Sequence, residues 1–138
     1  MKYCITILLA IALFSCQKPA NLNSELPLPN NLAGSWVNPI YTDSTIVFEK
    51  SQSVGNDEYG ITLLSDGSLI EHKNSGWCGT PPISYADFNG VYTLKDSVLK
   101  ICVGFWGGVA DYQWKIVSLT DKQMKVINLN ENYTVQPN

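Results

Sequence analysis

Ala110–Leu129 reads ADYQWKIVSLTDKQMKVINL. In its first half Ala110, Tyr112, Trp114 and Ile116 fall on one side of a two-residue period, and Asp111, Gln113 and Lys115 fall on the other. An apolar face opposite a polar one at that period describes a half-buried β-strand. Thr120-Asp121-Lys122 then turns the chain, and Gln123–Leu129 returns as a second strand. The same grammar holds upstream. Gly90–Lys95 and Val98–Val103 flank the tight turn Asp96-Ser97. Tyr59–Leu64 and Ser68–Lys73 flank Ser65-Asp66-Gly67, and Asp-Gly between strands is among the strongest hairpin signals. Thr45–Lys50 sets Ile46 and Phe48 on one face, and Gly34–Val37 begins the series. No long window beyond the N-terminal segment has helical periodicity. About eight short strands on short connections predict an all-β fold, either an antiparallel up-and-down barrel, which is the expectation, or a small sandwich.

Composition bounds the function. The 138 residues suit one domain, and a hydrophobic share of 45% can fill its core. All nine basic residues are lysines and the net charge is −3, which argues against nucleic acid as a partner. Phosphate-loop, dinucleotide, metalloprotease and calcium-loop motifs are missing, so neither a cofactor nor a metal site is expected. The single histidine, His72, shares strand parity with Ile70 and is expected on the core face or at a strand end. Its neighbour Glu71 then points the other way, leaving no base–nucleophile pair; the chain is expected not to be an enzyme and to have no catalytic residues.

The N-terminus carries an address. Lys2 is followed by the apolar run Ile5–Phe14, too short for a bilayer span of ~20 residues but suited to a signal peptide. The run ends in Leu13-Phe14-Ser15-Cys16, which resembles the lipobox of bacterial lipoproteins. The resemblance implies removal of residues 1–15 and lipidation of Cys16, with several acyl chains making a stable membrane anchor. Residues 16–31, rich in Pro and Asn, then read as a tether to a domain spanning 32–129, with 130–138 as a tail. Gln17 stands where inner-membrane-retained lipoproteins often carry Asp, so the outer membrane is the expected destination.

Once Cys4 leaves with the signal and Cys16 takes lipid, Cys78 and Cys102 remain, an even pair in an oxidising compartment. A disulfide between them is expected, worth ~3 kcal/mol by chain entropy. The alternative of metal-binding thiols lacks companion His and Cys ligands. Parity places Leu99, Ile101 and Val103 inward and Cys102 outward, so the bridge would pin the loop Asn74–Asn89 against the outside of the sheet. Trp77-Cys78-Gly79-Thr80-Pro81 has only a superficial likeness to a thioredoxin motif, because Pro81 replaces the second cysteine.

Asn30-Asn31-Leu32-Ala33-Gly34-Ser35-Trp36 resembles the opening of lipocalins and of small lipocalin-like domains. The closing Tyr112-x-Trp114-x-Ile116, turn and Met124-x-Val126 resemble the final hairpin of such domains in bacterial lipoproteins. The resemblance implies a barrel in which Gly34 allows a tight start and Trp36 plugs the closed end. Two departures stand out: no arginine is present to pack over that tryptophan, and no helix-length segment follows the barrel.

Trp77, Tyr85 and Phe88 are expected in the long loop, and Phe105 and Trp106 beside Gly104, Gly107 and Gly108. Aromatic side chains there can line a pocket or close the barrel as a small core. Trp77, Tyr85, Phe105 and Trp106 are the candidate ligand-binding residues, for a small apolar or amphipathic molecule. The alternative is a protein-interaction module, either a protease inhibitor or an accessory subunit of an envelope complex.

Overall fold

A computed structural model describes residues 29–77 and 79–136. The expected signal peptide, Cys16, most of the expected tether and Cys78 lie outside the described residues. The domain is all-β: β1 (Gly34–Thr42), β2 (Thr45–Ser51), β3 (Gly60–Leu63), β4 (Ser68–Asn74), β5 (Tyr85–Lys95), β6 (Val98–Phe105), β7 (Gly108–Leu119) and β8 (Gln123–Val135). The strands close into an antiparallel barrel in the ring order β1-β2-β8-β7-β6-β5-β4-β3.

That order corrects the expected up-and-down connectivity. β1 lies between β2 and β3, and β2, rather than β1, completes the ring against β8. The cause is the connection 52–59, which crosses the outside of β1 instead of turning straight into a neighbouring strand. Val54 in that strap reaches the outer face, where a side chain at Gly60 would meet both Val54 and Val37. Ser35, Trp36 and Val37 are therefore buried in succession, Trp36 by the barrel interior and the other two by the strap.

Local chemistry shapes the turns as expected. Asp96 and Ser97 both adopt positive φ, the requirement of a two-residue hairpin whose twist matches its strands. Gly67, at φ +86°, completes the β3–β4 hairpin. Several strands outrun their expected bounds, β5 and β8 with the most consequence: β5 begins at Tyr85, taking Tyr85 and Phe88 out of the loop, and β8 continues to Val135 through residues expected as tail.

Inward positions build a continuous core of Leu32, Trp36, Ile46, Phe48, Ile61, Leu63, Leu69, Tyr92, Leu99, Ile101, Val103, Ala110, Tyr112, Trp114, Met124 and Val126. Burying each large apolar side chain contributes ~1.5–3 kcal/mol. Trp36 has no exposed surface and closes one end. Its Nε1 donates to the Leu32 carbonyl at 2.8 Å, and the turn before it is tied by Leu32 N to Pro29 O at 2.9 Å. Lys50 takes the place that the resemblance reserves for arginine. Its ammonium lies 4.4 Å from the Trp36 ring centroid and donates to the carbonyls of Asn31 (2.7 Å) and Ala33. Gly34 makes this possible: a Cβ there would stand 2.8 Å from Lys50 Cε, and φ is +124°.

Candidate functional site

The opposite end is open, and strand alternation delivers a different set of side chains to it. On β4, Leu69, Glu71 and Lys73 point into the barrel while Ile70 and His72 point out. This reverses the expected parity. Ile70 is shielded outside by the strap, with Val54 and Gln52 around the same shallow hollow, so its apolar character did not mark the core face.

Glu71, only 2% exposed, is the centre of the mouth's floor. Lys73 Nζ donates to its Oε2 at 2.6 Å, and Tyr59 donates to its Oε1 at 2.7 Å. Tyr112 lies within 3.4 Å of Oε2 and accepts from Lys73 at 3.2 Å. A carboxylate taken out of water this far requires such compensation, since an unpaired buried charge costs several kcal/mol. The Lys73 ammonium also stands 5.6 Å from the ring centroids of both Tyr112 and Phe88.

Above this network lies a cavity of about 290 Å³, lined by Tyr41, Ile46, Tyr59, Glu71, Lys73 and Trp114 together with Tyr112, Asn128, Glu131, Tyr133, Asp43 and Ser44. A bulge between Gln113 and Trp114 in the β7–β8 ladder, with Leu129 as the extra residue on β8, sets Glu131 opposite Tyr112 and so turns the end of β8 toward the mouth. Tyr133 donates to Glu131, and Asn128 Nδ2 donates to the other oxygen of the same carboxylate at 3.2 Å. Aromatic rings climb from core to rim: Phe48 against Trp114, Trp114 stacked on Tyr112 at 5.5 Å, Tyr133 edge-on to Tyr112, and Phe105 edge-on to Tyr133.

The phenols are held neutral by burial first and by the nearby carboxylates second. Burial and then the charge of Glu71 hold Tyr59 and Tyr112 well above the ordinary tyrosine range. Burial followed by Glu71 and Glu131 raises Tyr41, and burial with the bond to Glu131 pushes Tyr133 up to about 12. All four remain neutral donors at physiological pH.

Of the four residues expected at a ligand site, Phe105 packs at the rim against Tyr133 and Trp106. Trp106 and Trp77 are exposed, Trp77 by 81%. Tyr85 lies outside the barrel, stacked on His72 with ring centroids 5.6 Å apart. None of the four lines the cavity. Sequence reasoning missed Glu71, Lys73, Tyr59 and Glu131. The available signal was the i, i+2 charge pair Glu71/Lys73 on a strand whose other member on that face, Leu69, is plainly core.

His72 is not alone. The register brings Asp87 across from it, with Nδ1 2.6 Å from Oδ1, while Nε2 faces the Asn56 carbonyl at 3.0 Å. Partial burial lowers its pKa, but the Asn56 carbonyl, Asp87 and Glu58 outweigh that and raise it above the ordinary value of 6.5. The imidazole thereby fastens the strap to the barrel wall.

Cys102 is on the outer face as expected, with Asp111 opposite in the ladder. Partial burial and Asp111 hold its thiol above the ordinary range. The expected disulfide falls on Cys78, outside the described residues. Among the described residues no three His, Cys, Asp or Glu side chains converge as a metal-ligand set. The chain matches no protein-family model, no curated protein and no solved structure.

Proposed function

We propose that this chain is a lipid-anchored envelope protein whose barrel mouth binds a small amphipathic molecule without catalysis. The carrying observation is the cavity at the open end, whose walls combine the aromatic faces of Trp114, Tyr112 and Tyr133 with fixed polar groups. Ligand sites typically have this composition, and ~300 Å³ is the small end of their size range. The apolar variant of the expectation gives way to the amphipathic one, because the cavity lining includes three carboxylates and an ammonium. Two arrangements favour binding over catalysis. Glu71 has its oxygens taken by Lys73, Tyr59 and Tyr112, and the Nε2 of His72 meets a backbone carbonyl where a nucleophile would have to stand.

The lipobox-like Leu13–Cys16 supports the anchor, and Gln17 supports an outer-membrane destination. The described chain begins at the closed end, with Leu32 beneath Trp36, so a tether joins the barrel opposite its mouth. The outward Cys102 is compatible with a bridge to Cys78. A protein-interaction role has one specific observation in its favour: the β2–β8 ladder ends at Ile127, with one further bond from Asn128 N to Ser44 O, leaving the edge of β8 beyond Asn128 available for strand addition.

Native mass spectrometry of the full chain, extracted gently from membranes, tests the binding reading. A retained small-molecule adduct supports it, and an empty barrel with a co-purifying protein overturns it in favour of the interaction module. The same sample denatured without reductant is lighter by two hydrogens if Cys78 and Cys102 are joined. Cys16→Ser should release the protein from the membrane fraction, and undiminished membrane association would refute the anchor.

A further inference from the structure

The mouth is matched to one sign of charge. Its lining holds three carboxylates, Asp43, Glu71 and Glu131, against the single ammonium of Lys73. Glu71 and Lys73 neutralise each other at 2.6 Å. Asp43 and Glu131 have no lysine or histidine within ion-pair distance among the described residues. The cavity therefore has an excess of two negative charges, both at its solvent side.

Hydrogen-bonding capacity is unbalanced in the same direction. Tyr59 and Tyr133 spend their hydroxyl protons on Glu71 and Glu131. Asn128 gives its amide N–H to Glu131, which leaves its Oδ1 buried with no hydrogen-bond partner. Turning the amide over would not help, since it would set that oxygen against a carboxylate. Beside the hydroxyls of Tyr41 and Ser44, which can donate or accept, what the cavity retains is acceptors and ring faces. An anionic ligand would meet uncompensated carboxylates, and a purely apolar one would leave Asn128 Oδ1 unsatisfied, at a cost of about 1–3 kcal/mol.

The chain already demonstrates the chemistry that fits. Lys73 satisfies an ammonium with a carboxylate, a phenol oxygen and the faces of Tyr112 and Phe88. Ammonium over aromatic rings beside a carboxylate is a recurrent recognition mode for organic cations.

We infer that the mouth selects a small organic cation, a primary ammonium on an aromatic or aliphatic body. Its charge is set at Glu131 and Asn128, and its body lies along Trp114 and Ile46. This rests on the binding role proposed above and names the class of ligand.

The test is calorimetric titration of the full chain in neutral detergent, at low ionic strength and pH 7, with 2-phenylethylamine, 2-phenylethanol and phenylacetate. These probes share a ring and differ in charge. The amine is expected to bind at least tenfold tighter than the alcohol, with phenylacetate weakest, and added salt should narrow the gap. Glu131→Gln should bring the amine down to the affinity of the alcohol. Its melting temperature, read in parallel, establishes that the variant is folded. If the alcohol or the acid binds as well as the amine, the charge inference falls while the binding role survives. If none of the three binds, the inference also falls, and the native mass spectrum decides the binding role independently.

Discussion

At the closed end of the barrel, polar side chains are satisfied by the backbone, whereas at the open end they are satisfied by one another. Trp36 Nε1, Lys50 Nζ and the Tyr92 hydroxyl all donate to main-chain carbonyls, those of Leu32, Asn31, Ala33 and Leu64. Glu71, Lys73, Tyr59 and Tyr112 form a side-chain network, and Glu131, Tyr133 and Asn128 form another. Carbonyls held in place by turns and strands cannot re-aim, so the closed end is rigid. Side chains can change rotamer and partner, so the mouth can exchange an internal hydrogen bond for one to a ligand. Low dielectric makes such a network strong when complete and costly when broken.

The sharpest way to break the comparison is to remove one member of the buried network. Lys73→Met leaves Glu71 without its cation at 2% exposure, and should cost about 3–5 kcal/mol in urea unfolding. The double variant Glu71→Leu/Lys73→Met should recover most of that loss. A single variant within ~1 kcal/mol of the parent would mean that the mouth does not depend on this pair.

The closed end should respond less steeply. Lys50→Met removes two hydrogen bonds and the ring contact but leaves no buried charge behind, so a loss of about 1–3 kcal/mol is expected. Lys50→Arg should retain more of the stability than Lys50→Met, because a guanidinium can stack on the indole. Equal losses for both variants would show that the contact with Trp36 contributes little.

Tyr59→Phe separates the two ends further. It removes one donor from Glu71 while Lys73 remains, for an expected loss of about 1–2 kcal/mol by thermal melting.

The smallest effect belongs to the strap. His72 has a raised pKa, so its folded state binds a proton more tightly than the unfolded chain does. The stabilisation is fully present below the ordinary value of 6.5 and is lost as pH rises through the folded value. Melting temperatures of the parent and of His72→Gln should therefore differ most at acidic pH and converge as pH rises above neutrality. A constant difference would mean that the protonated imidazole does not hold residues 52–59.

Much of the barrel was legible because alternation survives local inspection. Tyr112 and Trp114 face inward, Cys102 faces outward, and the turns at Asp96-Ser97 and Asp66-Gly67 are where the residues place them. β4 was misread for a definable reason. A strand's side-chain period is two, so a single mistaken anchor inverts every residue. Leu69 and Ile70 offered rival anchors, and Ile70 is covered from outside by a strap whose course is a long-range matter. The partnership of His72 with Asp87 was hidden similarly, since it depends on the β4–β5 register rather than on spacing along one strand.

By itself the sequence determined the all-β class and the hairpins, because each depends on neighbours within a few residues or on the simple need to bury apolar surface. The tryptophan plug was implied by the resemblance of Asn30–Trp36 to lipocalin openings. The tertiary structure decided the crossing of β1, Lys50 over Trp36, and the convergence of Glu71, Lys73, Tyr59 and Glu131 at the mouth. Those depend on which strands become neighbours around a closed ring. Sheet closure brings together residues far apart in the chain, and their charges acquire meaning only once water has been excluded from between them.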